Sequence, residues 1–261
     1  MNSSDSRPPL YELNPLGRFD DRAADYVKYR PSYPAAAIDA ILEGLGEPSR
    51  LAAADVGAGT GISSRLLAER GLRVLAIEPN AEMRQAAEIH PLVEFREATS
   101  EATNLSESSI DLVTCFQSFH WFNPVLTLPE FRRILKLSGR LAVVWNLRDD
   151  RTDELTLCYT EIVKTASNNH PAERRERAIE PLLTSSDFIN IQSRDFVNKQ
   201  YLDLPGLIGR ALSSSYIPNS GPQLQQLISD LTELYEAHCG DRGFVSLVYK
   251  TRVYLSARSD S

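Results

Sequence analysis

The most constraining feature of this chain is a stretch of 28 residues, 51–78, in which two strand-like runs flank a helix-like run. The apolar run 51–56 leads into a turn with glycine at alternate positions: Gly57, Gly59 and Gly61. Glycine permits positive φ angles and close backbone approach, so a ligand can sit directly on such a turn. After a helical pattern, the second apolar run, 73–77, delivers Glu78 at its carboxyl end. This order predicts a parallel α/β sheet with a polar side chain at its ligand-binding edge.

The glycine spacing also separates two classes of nucleotide site. A dinucleotide fingerprint requires a third glycine where this chain has Ile62, whose branched side chain would oppose close packing of helix against strand. The turn has neither a basic side chain for a pyrophosphate nor the Gly-Lys-Ser/Thr of a phosphate-binding loop. Glu78 follows Gly57 at about the 20-residue interval expected for a ribose-binding acid. The turn therefore favours an adenosyl cofactor, and a nicotinamide-dependent oxidoreductase is the alternative.

Composition limits the kinds of molecule that the protein is expected to bind. With 261 residues the chain can form one large α/β domain, and its net charge of -7 argues against broad contact with nucleic acid or an anionic membrane. The polar residues 1–9 lack the apolar run of a signal peptide, and no run of about 18 apolar residues could span a membrane. Three scattered cysteines and four histidines outside any zinc motif predict neither a disulfide scaffold nor a metal site. We expect a cytoplasmic protein, a monomer or homodimer, that acts on a small molecule.

Alternating patterns continue along the chain. Strands are predicted at 51–56, 73–77, 93–97, 110–116 and 139–145, and helices at 18–33, 35–45, 63–70, 81–89 and 125–135. That order predicts a parallel sheet with helices on both faces. The later part changes character, with helices predicted at 153–166, 172–183, 204–213 and 223–238 and a final antiparallel strand pair at 188–197 and 245–257. The apolar stripe within 203–218 predicts a segment that covers the ligand pocket, although such a stripe is more often simple packing.

Several segments resemble one family in the correct order. The turn Asp55-Val56-Gly57-Ala58-Gly59-Thr60-Gly61 resembles motif I of class I S-adenosylmethionine-dependent methyltransferases. Residues 111–115 are similar to that family's fourth strand, and 131–141 to its next helix, turn and fifth strand. The chain departs from the family at Leu137-Ser138-Gly139, where relatives commonly carry Pro-Gly-Gly, and we expect Pro129 to interrupt the preceding helix. The resemblance covers residues 19–257 and implies a Rossmann-like, doubly wound, seven-strand, mostly parallel sheet, with S-adenosylmethionine as cofactor and S-adenosylhomocysteine as product.

A narrower resemblance lies in residues 19–31 and 117–122. Both are similar to the type-11 small-molecule branch, which includes the trans-aconitate methyltransferases. This resemblance implies an N-terminal lid at 17–48 with Tyr26 and Arg30 at the methionine end of the cofactor, whereas the simpler alternative is a surface helix packed on the core. We predict flexible residues 1–16, then one methyltransferase domain, 17–261, that includes this lid and a helical cap insertion at 199–240.

The resemblance also implies individual cofactor contacts. The backbone of Gly57, Ala58 and Gly59 would pass beneath the methionine and ribose, Asp55 would orient the turn, and Glu78 would accept hydrogen bonds from the ribose hydroxyls. Further expected cofactor-binding residues are Met83 under the adenine, Thr99 and Ser100 beside it, and Gln117 at the methionine moiety. The simpler alternatives are a solvated Glu78 and a Met83 that only fills the core.

The run 117–122 leaves the fourth strand at the edge where open α/β sheets place their chemistry. His120 is the candidate catalytic residue, because neutral histidine can take a proton from an acceptor hydroxyl, but a structural histidine is an equal alternative. Expected substrate-pocket residues are Trp121, Phe122, Trp145, Asn146 and Tyr216. The sequence therefore predicts a methyltransferase that acts on a small organic acceptor, most simply at oxygen. The rivals are a nicotinamide-dependent oxidoreductase and a non-catalytic adenosyl-binding protein.

Overall fold

A computed structural model describes residues 9–12, 28–214 and 216–259 of the chain. Its strands are β1 (Ala52–Val56), β2 (Arg73–Ile77), β3 (Val93–Arg96), β4 (Ile110–Phe116), β5 (Leu135–Arg148), β6 (Phe188–Leu202) and β7 (Val245–Arg258). They form one sheet in the order β3-β2-β1-β4-β5-β7-β6, in which β7 runs antiparallel to the other six strands. The predicted seven-strand, mostly parallel sheet is confirmed. Because the strand order reverses between β1 and β4, the carboxyl ends of these two strands flank a crevice.

Helices cover both faces of the sheet. They are α1 (Ala35–Leu42), α2 (Ile62–Ala68), α3 (Ala81–Gln85), α4 (Pro124–Ile134), α5 (Glu154–Ala166), α6 (Glu180–Leu183), α7 (Leu204–Leu212) and α8 (Pro222–His238). Short 3-10 turns lie at Leu10–Glu12, Pro48–Arg50, Phe119–Trp121, Pro171–Ile179 and Gly240–Arg242. The side chains of alternate strand residues pack into two apolar cores. One core contains Phe131 and Trp145, and the other contains Ile38 and Leu67. This division follows from the two-residue repeat of strands buried on both faces.

A third core holds the helices that lie beside the last two strands. It combines Tyr159 of α5, Leu207 of α7, Leu231 of α8 and Tyr249 of β7. Two of these helices, α7 and α8, separate β6 from β7 in sequence and lie within the segment predicted as a cap, 199–240. They pack beside the sheet through this third apolar core.

Several predicted boundaries differ from the structure. The final strands are longer than predicted, because β6 and β7 pair without interruption from Gln192↔Leu255 to Leu202↔Val245. Residues 199–202 are therefore strand, and the helices of the cap begin only at Leu204. The predicted interruption at Pro129 was wrong, because α4 continues through it. Because Pro129 has no backbone N–H, the helix loses only one hydrogen bond, the one to the carbonyl of residue 125 in its first turn.

Two predicted helices are also shorter than expected. The helix predicted at 81–89 ends at Gln85, with Ala86 as its C-cap. The helix predicted at 172–183 is a 3-10 turn followed by the short α6. Of the helix predicted at 18–33, residues 18–27 lie outside the described part, and residues 28 and 29 are helical. Within the described ranges, no helix is both long and apolar enough to cross a bilayer.

Candidate functional site

The glycine turn after β1 is shaped by the protein's own loops. Gly57 has φ of +68°, and a Cβ on it would lie 2.5 Å from the Cβ of Ser118 and 3.0 Å from Phe122 Cζ. Gly61 has φ of +75°, and its Cβ would lie 2.8 Å from the ring of Phe95. Ser118 is held in place because its hydroxyl donates to the Val56 carbonyl at 2.7 Å. Neighbouring side chains therefore occupy much of the space beside these glycines, and the rest is open crevice.

The amide groups of the turn donate hydrogen bonds within the protein. Gly57 N and Ala58 N both donate to the Ile77 carbonyl, at 2.8 and 3.2 Å. Gly59 N donates to Glu78 Oε2 at 2.8 Å. A ligand on this turn would meet close backbone rather than a set of free N–H donors. This arrangement differs from a phosphate-binding loop, which presents its amides to an anion.

Asp55 supports the turn from below. It is fully buried and accepts hydrogen bonds from the hydroxyls of Ser63, Ser64 and Thr114 at 2.7, 2.6 and 2.9 Å. Burial raises the pKa of its carboxyl, and the three hydroxyls act in the opposite direction. Asp55 lines none of the cavities described below and instead joins β1, β4 and α2 at the base of the turn.

Glu78 directly follows β2 and lines the crevice. Its Oε2 accepts from Gly59 N, and its Oε1 accepts from Asn80 N at 2.9 Å. Burial raises the pKa of its carboxyl, while these backbone hydrogen bonds oppose the rise. A carboxylate has about four acceptor positions, so two backbone bonds leave capacity for ligand hydroxyls. Asn80 in turn caps α3 by accepting from Met83 N at 2.9 Å, which fixes the loop that follows Glu78.

A cavity of about 320 Å³, here called the smaller cavity, lies above the turn at the carboxyl edge of β1, β2 and β4. Its volume falls in the range of small-molecule sites. Sequence-predicted residues that line it are Gly57, Gly59, Glu78, Met83, Thr99, Ser100, Gln117, Trp121 and Phe122. A narrow recess beside it is lined by Arg30, Ala58, Gly57 and Gln117, among others. The structure thus brings the predicted cofactor residues together, except Asp55 beneath the turn and Tyr26, which lies outside the described residues.

Sequence reasoning missed several residues of the smaller cavity: Tyr11, Pro79, Asn80, Ala98, Asn123 and Leu126. Glu101, which follows Thr99 and Ser100 in sequence, also lines this cavity. Asn80 carried a usable signal, since Asn is a favoured N-cap and the residue lies just after Glu78. Tyr11 carried none, because it belongs to a segment predicted to be flexible, in which residues 10–12 form a 3-10 turn.

Gln117 has an unusual backbone at the end of β4. Its φ is +55°, in the left-handed region that non-glycine residues rarely adopt. Its side-chain amide donates to the Asn146 carbonyl at 3.2 Å, and the residue lines both the smaller cavity and the recess. Strained backbone of this kind clusters at ligand sites, where the surrounding structure enforces it. The strain therefore agrees with a binding role for Gln117.

A second cavity of about 1020 Å³, here called the larger cavity, adjoins the smaller one. Tyr11 and Phe122 line both cavities and so form their shared wall. The larger cavity is also lined by His120, Arg148 and Arg175, and by further charged residues of both signs. Tyr216 stacks at 5.3 Å on His170, which lines this cavity.

His120 is 6% exposed and bonded to the core. Its Nδ1 lies 3.3 Å from Trp145 Nε1. Burial, followed by the positive charges of Arg175 and Arg30, holds the pKa of the His120 imidazole well below its usual range. The ring is therefore neutral at ordinary pH, as a base would need to be, but one of its nitrogens is already engaged.

Two predicted pocket residues lie inside the protein instead. Trp145 is fully buried and packs edge-on against Phe119 and Tyr254, so it reaches the site only through His120. Asn146 is 1% exposed, accepts from the Thr251 hydroxyl at 2.5 Å, and donates to the Ser32 carbonyl at 3.2 Å. Both residues occupy strand positions whose neighbours in the sheet cover them.

Residues 29–32 cross the carboxyl edge of the sheet and are fixed there by distant segments. Arg30 Nη2 donates to the Ser213 carbonyl at 2.8 Å, and Gln200 donates to the Tyr29 carbonyl at 2.8 Å. The Tyr29 ring packs on Gly209, where a Cβ would lie 2.3 Å from it. This part of the predicted lid is therefore joined to β6 and α7. Among the residues that the structure describes, no group of three His, Cys, Asp or Glu side chains is placed to hold a metal ion.

Comparison with known proteins agrees with this geometry. A family described as a methyltransferase domain matches residues 54–143. An uncharacterised methyltransferase of Mycobacterium tuberculosis is 33% identical over 208 residues, which cover 79% of this chain and 80% of the relative. Another from Schizosaccharomyces pombe is 31% identical over 168 residues, 63% of this chain and 66% of the relative.

The fold has solved counterparts. A structure of a proposed type II methyltransferase from Anaeromyxobacter dehalogenans superposes with a TM-score of 0.66 at 22% identity, over 88% of this chain and 98% of that one. At this identity the likeness concerns the fold, which is that of a class I methyltransferase. The Mycobacterium tuberculosis relative, 33% identical over 79% of this chain, shows that the chain belongs to the S-adenosylmethionine-dependent methyltransferase family.

Proposed function

We propose that the protein transfers a methyl group from S-adenosylmethionine, bound in the smaller cavity, to an oxygen atom of a small organic acceptor in the larger cavity. The observation that carries this proposal is the shared wall, because Tyr11 and Phe122 line both cavities. Methyl transfer requires the acceptor atom in line with the methyl group and close to it, and two adjoining cavities provide that arrangement.

The smaller cavity suits the cofactor chemically. Glu78 would accept hydrogen bonds from the ribose hydroxyls, Thr99 and Ser100 would contact the adenine, and Gln117 would lie at the methionine end. Met83, 3% exposed, supplies an apolar wall for the base. When bound, the cofactor supplies an activated methyl group on a positively charged sulfur. The task of the chain is then to hold both reactants and to exclude water.

The charges around His120 favour an oxygen acceptor. Arg175 and Arg30 lie near enough to lower the pKa of His120 by their positive charge. Arg175 Nη2 donates to the Asn146 carbonyl at 3.0 Å, and its buried Nε has no hydrogen-bond partner among the described residues. Beside His120, these positive charges would stabilise an acceptor that carries negative charge and disfavour an ammonium group. The chain's net charge of -7 also supports a small acceptor over nucleic acid.

Cofactor binding is tested first by calorimetric titration with S-adenosylhomocysteine and, separately, with NADH. We expect the wild-type protein to bind the first ligand and not the second. Glu78→Ala is expected to weaken binding at least about tenfold, because a hydrogen bond to a charged group contributes about 1.5–3 kcal/mol. Glu69→Ala, at an exposed position at the end of α2, is the matched control and should leave affinity unchanged. Binding of NADH alone, or a Glu78→Ala protein with wild-type affinity, would contradict the proposed site.

Acceptor chemistry is tested by transfer of labelled methyl groups from the cofactor to panels of carboxylic acids, phenols and amines. Transfer to an acid or phenol, reduced in Arg175→Ala through a higher KM, is expected. Transfer restricted to amines would refute methylation at oxygen while leaving the cofactor site intact.

A further inference from the structure

The contact between His120 and Trp145 determines which imidazole nitrogen carries the proton. An indole N–H can only donate a hydrogen bond, so Nδ1 of His120 must accept at the 3.3 Å contact. A neutral imidazole has one accepting and one donating nitrogen. With Nδ1 accepting, the ring proton resides on Nε2.

The ring orientation is fixed by packing. Trp145 is fully buried between Phe119 and Tyr254, and the His120 ring packs at 4.8 Å on the ring of Trp121. Rotating the imidazole by half a turn would place a C–H group opposite the indole N–H. That would leave a buried donor unpaired, which costs about 1–3 kcal/mol. Among the residues that the structure describes, the contact with Trp145 is the ring's one hydrogen bond.

The charged surroundings keep this tautomer neutral. Besides burial, the groups that act on the imidazole are the guanidinium groups of Arg175 and Arg30, and both oppose a second proton. A protonated ring would also direct an N–H toward the indole N–H and lose the hydrogen bond. Neither charge nor hydrogen bonding therefore favours the imidazolium form.

We propose that Trp145 is a positioning residue that fixes His120 as the Nε2–H tautomer, so that His120 presents a hydrogen-bond donor, and no base, to the larger cavity. The tautomer is a property of the chain, whereas the role toward an acceptor rests on the proposed function. Because the only lone pair of the ring is engaged by Trp145, His120 can hold an acceptor oxygen but cannot remove its proton. The acceptor atom must then be deprotonated already, or lose its proton to a group other than His120.

Nitrogen-15 NMR of the full-length protein, labelled in its four histidines, tests the tautomer directly. The His120 signals are assigned by their loss in His120→Gln. We expect a protonated Nε2 and an unprotonated Nδ1 near neutral pH, with the Nε2–H form in at least about tenfold excess. Trp145→Phe removes the indole donor and should reduce that excess about fivefold, as expected for the loss of one hydrogen bond. Trp121→Phe changes the other indole beside the ring and should leave the ratio unaltered.

A predominant Nδ1–H tautomer or an imidazolium at neutral pH would overturn the proposal. So would a ratio in Trp145→Phe equal to that of the wild type, provided that a melting curve shows the variant folded. If Trp145→Phe does not fold, the wild-type spectrum alone decides. Failure of the proposed function is a separate result, because the absence of S-adenosylhomocysteine binding or of methyl transfer does not alter the ring spectrum.

Discussion

Replacement of Gly57 by alanine tests whether the turn and the wall of the two cavities form one packed unit. The added Cβ would lie 2.5 Å from Ser118 Cβ and 3.0 Å from Phe122 Cζ. Real Cβ atoms do not approach carbon so closely, so the backbone or the Ser118 loop must move. Ser118 cannot move freely, because its hydroxyl donates to the Val56 carbonyl at 2.7 Å.

The expected magnitude has two parts. A non-glycine residue in the left-handed region costs about 1–2 kcal/mol, and Gly57 has φ of +68°. Overpacking in a closed site adds about 1–3 kcal/mol. We therefore expect Gly57→Ala to lower the free energy of unfolding by about 2–5 kcal/mol. Gly243→Ala is the matched control, because Gly243 has the same φ of +68° and its Cβ would meet nothing within 4 Å. Gly243→Ala should therefore lower the free energy of unfolding only by the backbone contribution of about 1–2 kcal/mol.

Urea denaturation of both variants measures the two parts, and titration with S-adenosylhomocysteine measures the effect on the site. We expect the Gly57→Ala protein to lose more stability than Gly243→Ala and to bind the ligand more weakly, because Phe122 must shift into the cavities. Equal losses in the two variants, with ligand affinity retained in Gly57→Ala, would refute the close contact between the turn and the Ser118 loop.

Two further predictions concern His120 and the residues 29–32. The pKa of His120 in the folded protein lies below the unfolded value of about 6.5. The contribution of the neutral ring to stability is therefore present above about pH 6.5 and is lost as the pH falls below it. The free energy of unfolding should fall with a slope of up to about 1.4 kcal/mol per pH unit. Urea denaturation from pH 7 to 5 should therefore show a shallower decline for His120→Gln, and identical slopes would contradict burial of the ring. Gly209→Ala would place a Cβ 2.3 Å from the Tyr29 ring and should cost about 1–3 kcal/mol. In a double-mutant cycle Tyr29→Ala should relieve most of that cost, and strict additivity would exclude the contact.

The fold was predictable because its signals are local. Apolar runs and helical spacing placed β1, α2, β2 and β4 to within a few residues. Glu78 was identified from the order strand, turn, helix and strand, which sets the sheet edge at which a residue emerges. Prediction was weakest where strand pairing decides the length of an element. The extension of β6 to Leu202 depends on its partner Val245, which lies 43 residues later in the chain.

The chemistry of the site was less predictable, because it depends on side chains that meet across the sheet. Trp145 lies in an apolar strand, and nothing local shows that its indole reaches His120, 25 residues earlier in the sequence. Arg175 lies in a charged segment with no motif, yet it is one of the charges next to the imidazole. The hydrogen bond of Arg30 joins groups 183 residues apart. Such pairs follow from register and packing, which residue patterns do not determine.

Phe122 links the two proposed binding events. Its ring lies against the space that Gly57 leaves, and the same ring forms part of the wall between the smaller and the larger cavity. A shift of the turn by even a few tenths of an ångström, such as a bound cofactor could impose, would therefore move this wall. Close packing transmits such displacements, since little free volume is present to absorb them. Under the proposed function the glycine turn would therefore have two roles: it would admit the cofactor close to the backbone, and it would set the position of the aromatic wall on which the acceptor aligns.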